Sequence, residues 1–124
     1  MNNPSYLVGR MLKIADELHA VYCKEVRKNN LPPQLLGNAL MVAALDSPTQ
    51  ALSQLAMRIA PYLGWARTNS TESAGLSRYF LKEFGHIEEK LRDAALPQRL
   101  DDASKAELLL GYISSNTQVE TINN

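Results

Sequence analysis

From Pro4 onward, Leu7, Met11, Ile14, Leu18 and Val21 recur at spacings of four and three, the period of a helix with one face turned to a core. Val8, Leu12, Ala15, Tyr22 and Val26 run beside that stripe, so the apolar face is broad. Asn3 before Pro4 is a cap followed by a first-turn proline. The predicted helix runs to about Lys28 and stops at Asn29, Asn30, Leu31, Pro32, Pro33, because proline lacks an amide donor and restricts the residue before it.

A second, short helix is predicted from Gln34 to Leu45, and its nearly uniform apolar character implies burial on most sides. Asp46, Ser47 and Pro48, with Gln50 three residues after Ser47, read as a capping box. The third helix then carries Leu52, Leu55, Ala56 and Ile59 until Pro61 ends or kinks it. Arg67 to Ser73 is a polar loop. Leu76, Phe80, Phe84, Ile87 and Leu91 trace a fourth helix to about Leu96, stopped by Pro97. Asp101 or Asp102 caps a last helix bearing Leu108, Leu109, Tyr112 and Ile113. No segment alternates with the period of a strand, and no repeat is present. The expectation is an all-α bundle of four to five helices, a single domain over residues 1–115, and a polar, disordered tail over 116–124.

Composition narrows the setting. A chain of 124 residues, 45% of them hydrophobic, is enough for one core and too short for two ordinary domains. A single cysteine rules out an intramolecular disulfide and suits the reducing cytoplasm. No apolar run approaches the roughly 18 residues of a membrane span, and the N-terminus lacks the pattern of a signal peptide. The net charge of zero hides an asymmetry: nine basic residues stand against five acidic ones up to Lys82, and four against eight from Glu83 onward. Such a split permits one face toward a polyanion and another toward a basic protein.

Catalytic chemistry finds little to work with. Glu83 and His86 have the Glu-x-x-His spacing of a bundle metal site, and Asp16 and His19 imitate it on the first helix. A di-metal carboxylate enzyme would also need a carboxylate from each of the two intervening helices, which hold only the boundary residue Asp46. A structural zinc fails similarly, with His19, Cys23 and His86 the only nitrogen or sulfur donors. The six glycines are scattered singly, so no phosphate-cradling loop exists. The chain reads as a non-enzyme without cofactor or metal.

A nucleic-acid role draws on cations with aromatics nearby. Arg78 and Lys82 lie one helical turn apart beside Tyr79, Arg67 stands near Trp65, and Arg58 is the main cation of the third helix. Lys24, Arg27 and Lys28 add a group at the end of the first helix. On the first helix Arg10, Lys13, Lys24 and Lys28 fall on the face opposite the core, although Glu17 among them fits a solvated face equally well.

Tyr6, Leu7, Val8, Gly9 and Arg10 open the first long helix, Pro48 begins another, and Leu110, Gly111 and Tyr112 close the last. In that order and spacing these motifs resemble the C-terminal helical region of the large subunit of the type I-C CRISPR Cascade complex, over roughly Tyr6 to Tyr112. That region is also made as a free small subunit, and Met1, just before the opening motif, looks like an internal translation start. The resemblance implies a non-catalytic antiviral-defence subunit. It would pack against the backbone and large subunits and further copies of itself, with guide RNA and target DNA within reach. Its basic side chains would support the R-loop, whose near-balanced energetics a few contacts can tip. Two departures stand out: Gln34, Leu35 and Leu36 precede Gly37 where similar chains carry a basic and aromatic stretch, and Pro61 interrupts a more basic helix. The alternative is a helical protein interaction module with no nucleic-acid contact.

Overall fold

A computed structural model of the chain describes residues 3–28, 30 and 32–123, with side chains described as far as residue 114. The described residues form six helices: α1 (Pro4–Val26), α2 (Leu36–Ala39), α3 (Met41–Asp46), α4 (Pro48–Thr68), α5 (Ala74–Arg92) and α6 (Asp102–Asn123). Among the described residues there is no strand, and the all-α class follows. The expected boundary between bundle and tail at Asn116 falls among residues whose side chains lie outside those described.

The two adjacent apolar stripes of α1 are both used. Val8, Leu12, Ile14, Ala15 and Leu18 are all at most 1% exposed, because α1 packs against α2, α4, α5 and α6, with α6 its most extensive neighbour. The start of α1 is fixed as expected, with Asn3 Oδ1 accepting from Ser5 N at 2.8 Å and Pro4 in the first turn. Its stop is Lys28, whose φ of 51° lies in the left-handed region, a conformation that usually falls to glycine at a helix end.

Three boundaries depart from the sequence reading, and the start of α4, placed as expected at Pro48, lacks its side-chain cap bond. The predicted second helix breaks at Leu40 into α2 and α3, and it is buried on one side only, since Val42 is 79% exposed. Ser47 occupies the N-cap of α4 without making a side-chain cap bond; the carbonyl of Ser47 accepts from Ala51 N at 3.1 Å instead. Pro61 does not end α4, which continues to Thr68. Pro61 and Met57 are exposed, so water can satisfy the carbonyl that proline leaves without a donor. Helix α5 stops at Arg92 rather than Leu96. At the next start Asp101 is the capping residue, its Oδ1 accepting from Ser104 N at 2.8 Å, and these bonds hold its carboxyl below its ordinary range.

The backbones of α1 and α6 pass one another at close quarters. A Cβ on Gly9 would run into the carbonyl oxygen of Leu108 and lie 2.9 Å from Tyr112 N. One on Gly111 would run into the carbonyl of Tyr6 and lie 3.0 Å from Arg10 N. The two motifs at opposite ends of the chain therefore meet, backbone against backbone, and only residues without a Cβ fit there.

This geometry separates the glycines into two kinds. Gly9→Ala and Gly111→Ala should each lower stability by about 2 kcal/mol or more, since the helices must move apart to admit a methyl group. Gly64→Ala and Gly85→Ala, which meet open space, should raise it by about 0.5 to 1 kcal/mol through helix propensity. Urea unfolding of the four variants checks this; equal effects at all four positions would refute the close crossing.

Candidate functional site

The predicted cations are all exposed, and among the described residues Arg58, Arg67, Arg78, Lys82, Lys24, Arg27 and Lys28 enter no ion pair. They do not form one patch. Arg58 and Arg67 are nine residues apart on α4, which places them about 180° apart around the helix. Arg78 and Lys82 share one side of α5, opposite the buried stripe of Ser77, Phe80, Phe84, Ile87 and Leu91. Lys24 lines a shallow cleft with Val21, Glu25, Glu72, Ser73 and Leu76, so acidic groups neighbour it. Arg27 is the C-cap of α1 and Lys28 its left-handed stop.

The rings expected beside these cations are packed away. Trp65 stands edge-on to Tyr22 at 5.3 Å between centroids, Tyr22 meets Tyr62 at 5.0 Å, and Tyr62 lies 4.6 Å from His19. Together they seal the seam between α1 and α4. Tyr79 packs 5.6 Å from Phe80, and its hydroxyl donates to Glu83 Oε1 at 3.4 Å. Burial, with the charge of Glu83, raises its pKa. Neither Trp65 nor Tyr79 is a free platform for a base.

The polar side of α1 is divided: Lys24 and Lys28 are exposed, as a solvated face would have them, whereas Arg10, Lys13 and Glu17 sit in an inter-helix seam. Arg10 Nη2 reaches Glu83 Oε1 at 3.2 Å, tying α1 to α5. Lys13 Nζ sits 4.8 Å from the centre of the Tyr112 ring on α6, within cation–π range. Glu17 lies between these groups, half-buried, its Oε1 shielded from solvent and without a hydrogen-bond partner. Burial, opposed by Lys13 and Arg10 and assisted by Asp16, pushes its carboxyl up to about 7.

Asp16 and His19, the imitation of a metal pair, serve α2. Leu35 at the N-cap offers no side-chain acceptor, so the first amides of α2 need partners from elsewhere. His19 Nδ1 accepts from Leu36 N at 3.1 Å, and Asp16 Oδ1 accepts from Gly37 N at 2.5 Å and from Asn38 N at 3.1 Å. The hydroxyl of Tyr112 donates to Asp16 Oδ2. Gly37 permits this approach, since a Cβ there would strike the Leu12 carbonyl. Burial and that bond push the Tyr112 hydroxyl up to about 12. Glu83 and His86, the second pair, are neighbours on α5, with His86 Nδ1 3.8 Å from Glu83 Oε2 and mostly exposed, while Glu83 is also engaged by Arg10. Among the described residues no three His, Cys, Asp or Glu side chains gather where a metal ion could sit. Cys23 is a buried free thiol.

Comparison with protein-family models, with curated proteins and with solved structures finds no match to this chain. Among the described residues no helix is long and apolar enough to cross a membrane.

The seam and the α2 cap titrate in opposite senses. Glu17 has a folded pKa above its unfolded value, so it favours the fold below about 4.5 and that contribution is lost as pH rises through about 7. Burial lowers the pKa of His19, with Arg27 adding to the effect against Asp16. Its contribution is complete above 6.5 and lost as pH falls through the lower, folded value. Across pH 4 to 8, Glu17→Gln should remove a decline of stability with rising pH, and His19→Asn should remove a decline with falling pH. Denaturant midpoints across that range test both; parallel profiles for wild type and Glu17→Gln would mean that the carboxyl is solvated.

A further variant tests the α2 cap directly. Asp16→Ala should cost about 2 to 4 kcal/mol, because it removes the acceptor of the Gly37 and Asn38 amides at the start of α2. Thermal unfolding followed by circular dichroism measures it.

Proposed function

We propose that this chain is the non-catalytic small subunit of a type I-C CRISPR Cascade complex. In that role it packs on the guide-RNA-bound backbone and large subunits in the cytoplasm and supports the opened target DNA through exposed cations. The observation that carries the reading is the meeting of Tyr6–Arg10 with Leu110–Tyr112. The segments on which the resemblance rests form one crossing of α1 and α6, built around Gly9 and Gly111. They are thus parts of a single packed unit, and their order and spacing have a steric cause. The DNA-supporting part rests on Arg58, Arg67, Arg78 and Lys82, all exposed. Long cationic side chains in such positions follow a phosphate backbone without reading bases.

The interaction module without nucleic-acid contact has its own support. Arg58 and Arg67 point to opposite sides of α4, and Trp65 and Tyr79 are packed inward. The two readings part in one experiment. Alanine at Arg58, Arg67, Arg78 and Lys82 together should leave folding and assembly of the complex intact, as judged by size exclusion. Target binding should weaken regardless of target sequence. Each lost contact to single-stranded DNA should flatten the slope of log affinity against log salt by about 0.7. An assembled mutant complex with unchanged affinity and slope would select the interaction module.

A further inference from the structure

Two groups compete for the ammonium of Lys13. It sits 4.8 Å from the centre of the Tyr112 ring on α6, and one turn further along its own helix is Glu17, the spacing at which a lysine and a carboxylate pair. The structure shows the first contact and not the second. Among the described residues Lys13 enters no ion pair, and Glu17 Oε1, shielded from solvent, has no hydrogen-bond partner. An oxygen in that position is tolerable on a neutral carboxyl and costly on a charged one.

The groups around Glu17 leave Lys13 to answer such a charge. On α1, Arg10 is engaged by Glu83, and Asp16, of like charge, is committed to the start of α2 and to Tyr112. From α5, Tyr79 faces Glu17 but donates its hydroxyl to Glu83. From α6, Tyr112 faces it and donates to Asp16. No charge on α2 or α4 acts on Glu17, and Lys13 is the charge that acts on it most strongly. We propose that Lys13 is a two-position latch on α6: with Glu17 neutral it stays over the Tyr112 ring, and with Glu17 ionised it turns back to the carboxylate and leaves α6 more loosely held. The loss matters because α1 is the only extensive neighbour of α6, so no other helix holds it to a comparable extent. Burial pushes the Glu17 carboxyl up to about 7, which sets the exchange in the neutral range. The inference goes beyond the subunit role proposed above and does not depend on it, and its test needs neither nucleic acid nor another chain.

The ε-methylene protons of Lys13 report which position it occupies, since the face of an aromatic ring shifts nearby protons upfield. Proton–carbon NMR spectra of the full chain are recorded from about pH 5 to about pH 9, below the titration of lysine itself. At the acid end the Lys13 protons should lie upfield of those of exposed Lys105, and they should move toward them as pH rises, with the same midpoint as the carboxyl carbon of Glu17. In Glu17→Gln they should stay upfield throughout, and Glu17→Leu serves as a second neutral variant should the amide disturb the seam. Amide hydrogen exchange, read as the ratio of α6 to α5 amides at each pH so that intrinsic catalysis cancels, should show α6 losing protection over the same range in wild type and in neither variant. A Lys13 shift that is flat in wild type, one that titrates equally in the neutral variants, or an α6 to α5 ratio that does not follow the Glu17 carbon would each overturn the proposal.

Discussion

Everything in this bundle is organised by how near α6 can come to α1. Two helices carrying ordinary side chains keep their axes about 8 to 10 Å apart, and at the crossing of α1 and α6 that spacing is not available. The peptide planes of Tyr6 and Leu108 stand where the Cβ atoms of Gly111 and Gly9 would be. The contact is reciprocal, because each glycine faces the turn that carries the other. Close approach then brings Tyr112 within reach of Asp16 and sets its ring beside Lys13. The position of α2, which hangs from Asp16 and His19, follows from the same arrangement.

A carboxylate at 3% exposure is costly unless its acceptor capacity is used. Asp16 accepts from three donors on two different elements, so the charge acts as a cross-brace. Glu17, its neighbour in sequence, has no such set and keeps an oxygen without a donor. The contrast shows how little sequence position says about a carboxylate: one of two adjacent acids is satisfied by an incoming helix start, and the other is left between Lys13, Arg10 and two tyrosines. What distinguishes them is the 100° step between consecutive residues on a helix.

Helix existence was legible because it depends on local pattern. The stripes of α1 and α5, the Asn3 cap and the Asp101 cap are all properties of residues within a few positions of one another. The failures came where a distant residue decided the outcome. Pro61 can end or kink a helix, and at its exposed position α4 continues through it. The start of α2 was placed at Gln34, whereas the amides that needed capping belong to Leu36, Gly37 and Asn38 and their acceptors lie on α1. Site residues fared similarly. The exposure of Arg58, Arg67, Arg78 and Lys82 agrees with their spacing, but whether cations converge depends on the packing of α4 on α5. Trp65 and Tyr79 lay close to cations in sequence and turned inward because the α1 seams offered them partners. The pairing of Arg10 with Glu83, across 73 residues, left no local trace at all.

The crossing of Gly9 with Gly111 also has a meaning in time. Those residues stand about a hundred positions apart, so this close fit forms only once most of the chain between them has been made. Until Leu108 has left the ribosome, Val8 and Leu12, which end with no solvent exposure, have one side uncovered and Asp16 lacks its tyrosine. Contacts of such long range slow folding because loop-closure entropy must be met before they form. A chain halted short of α6 would therefore present a sticky apolar surface and an incompletely bonded acid, the features by which quality-control proteases and chaperones recognise unfinished protein.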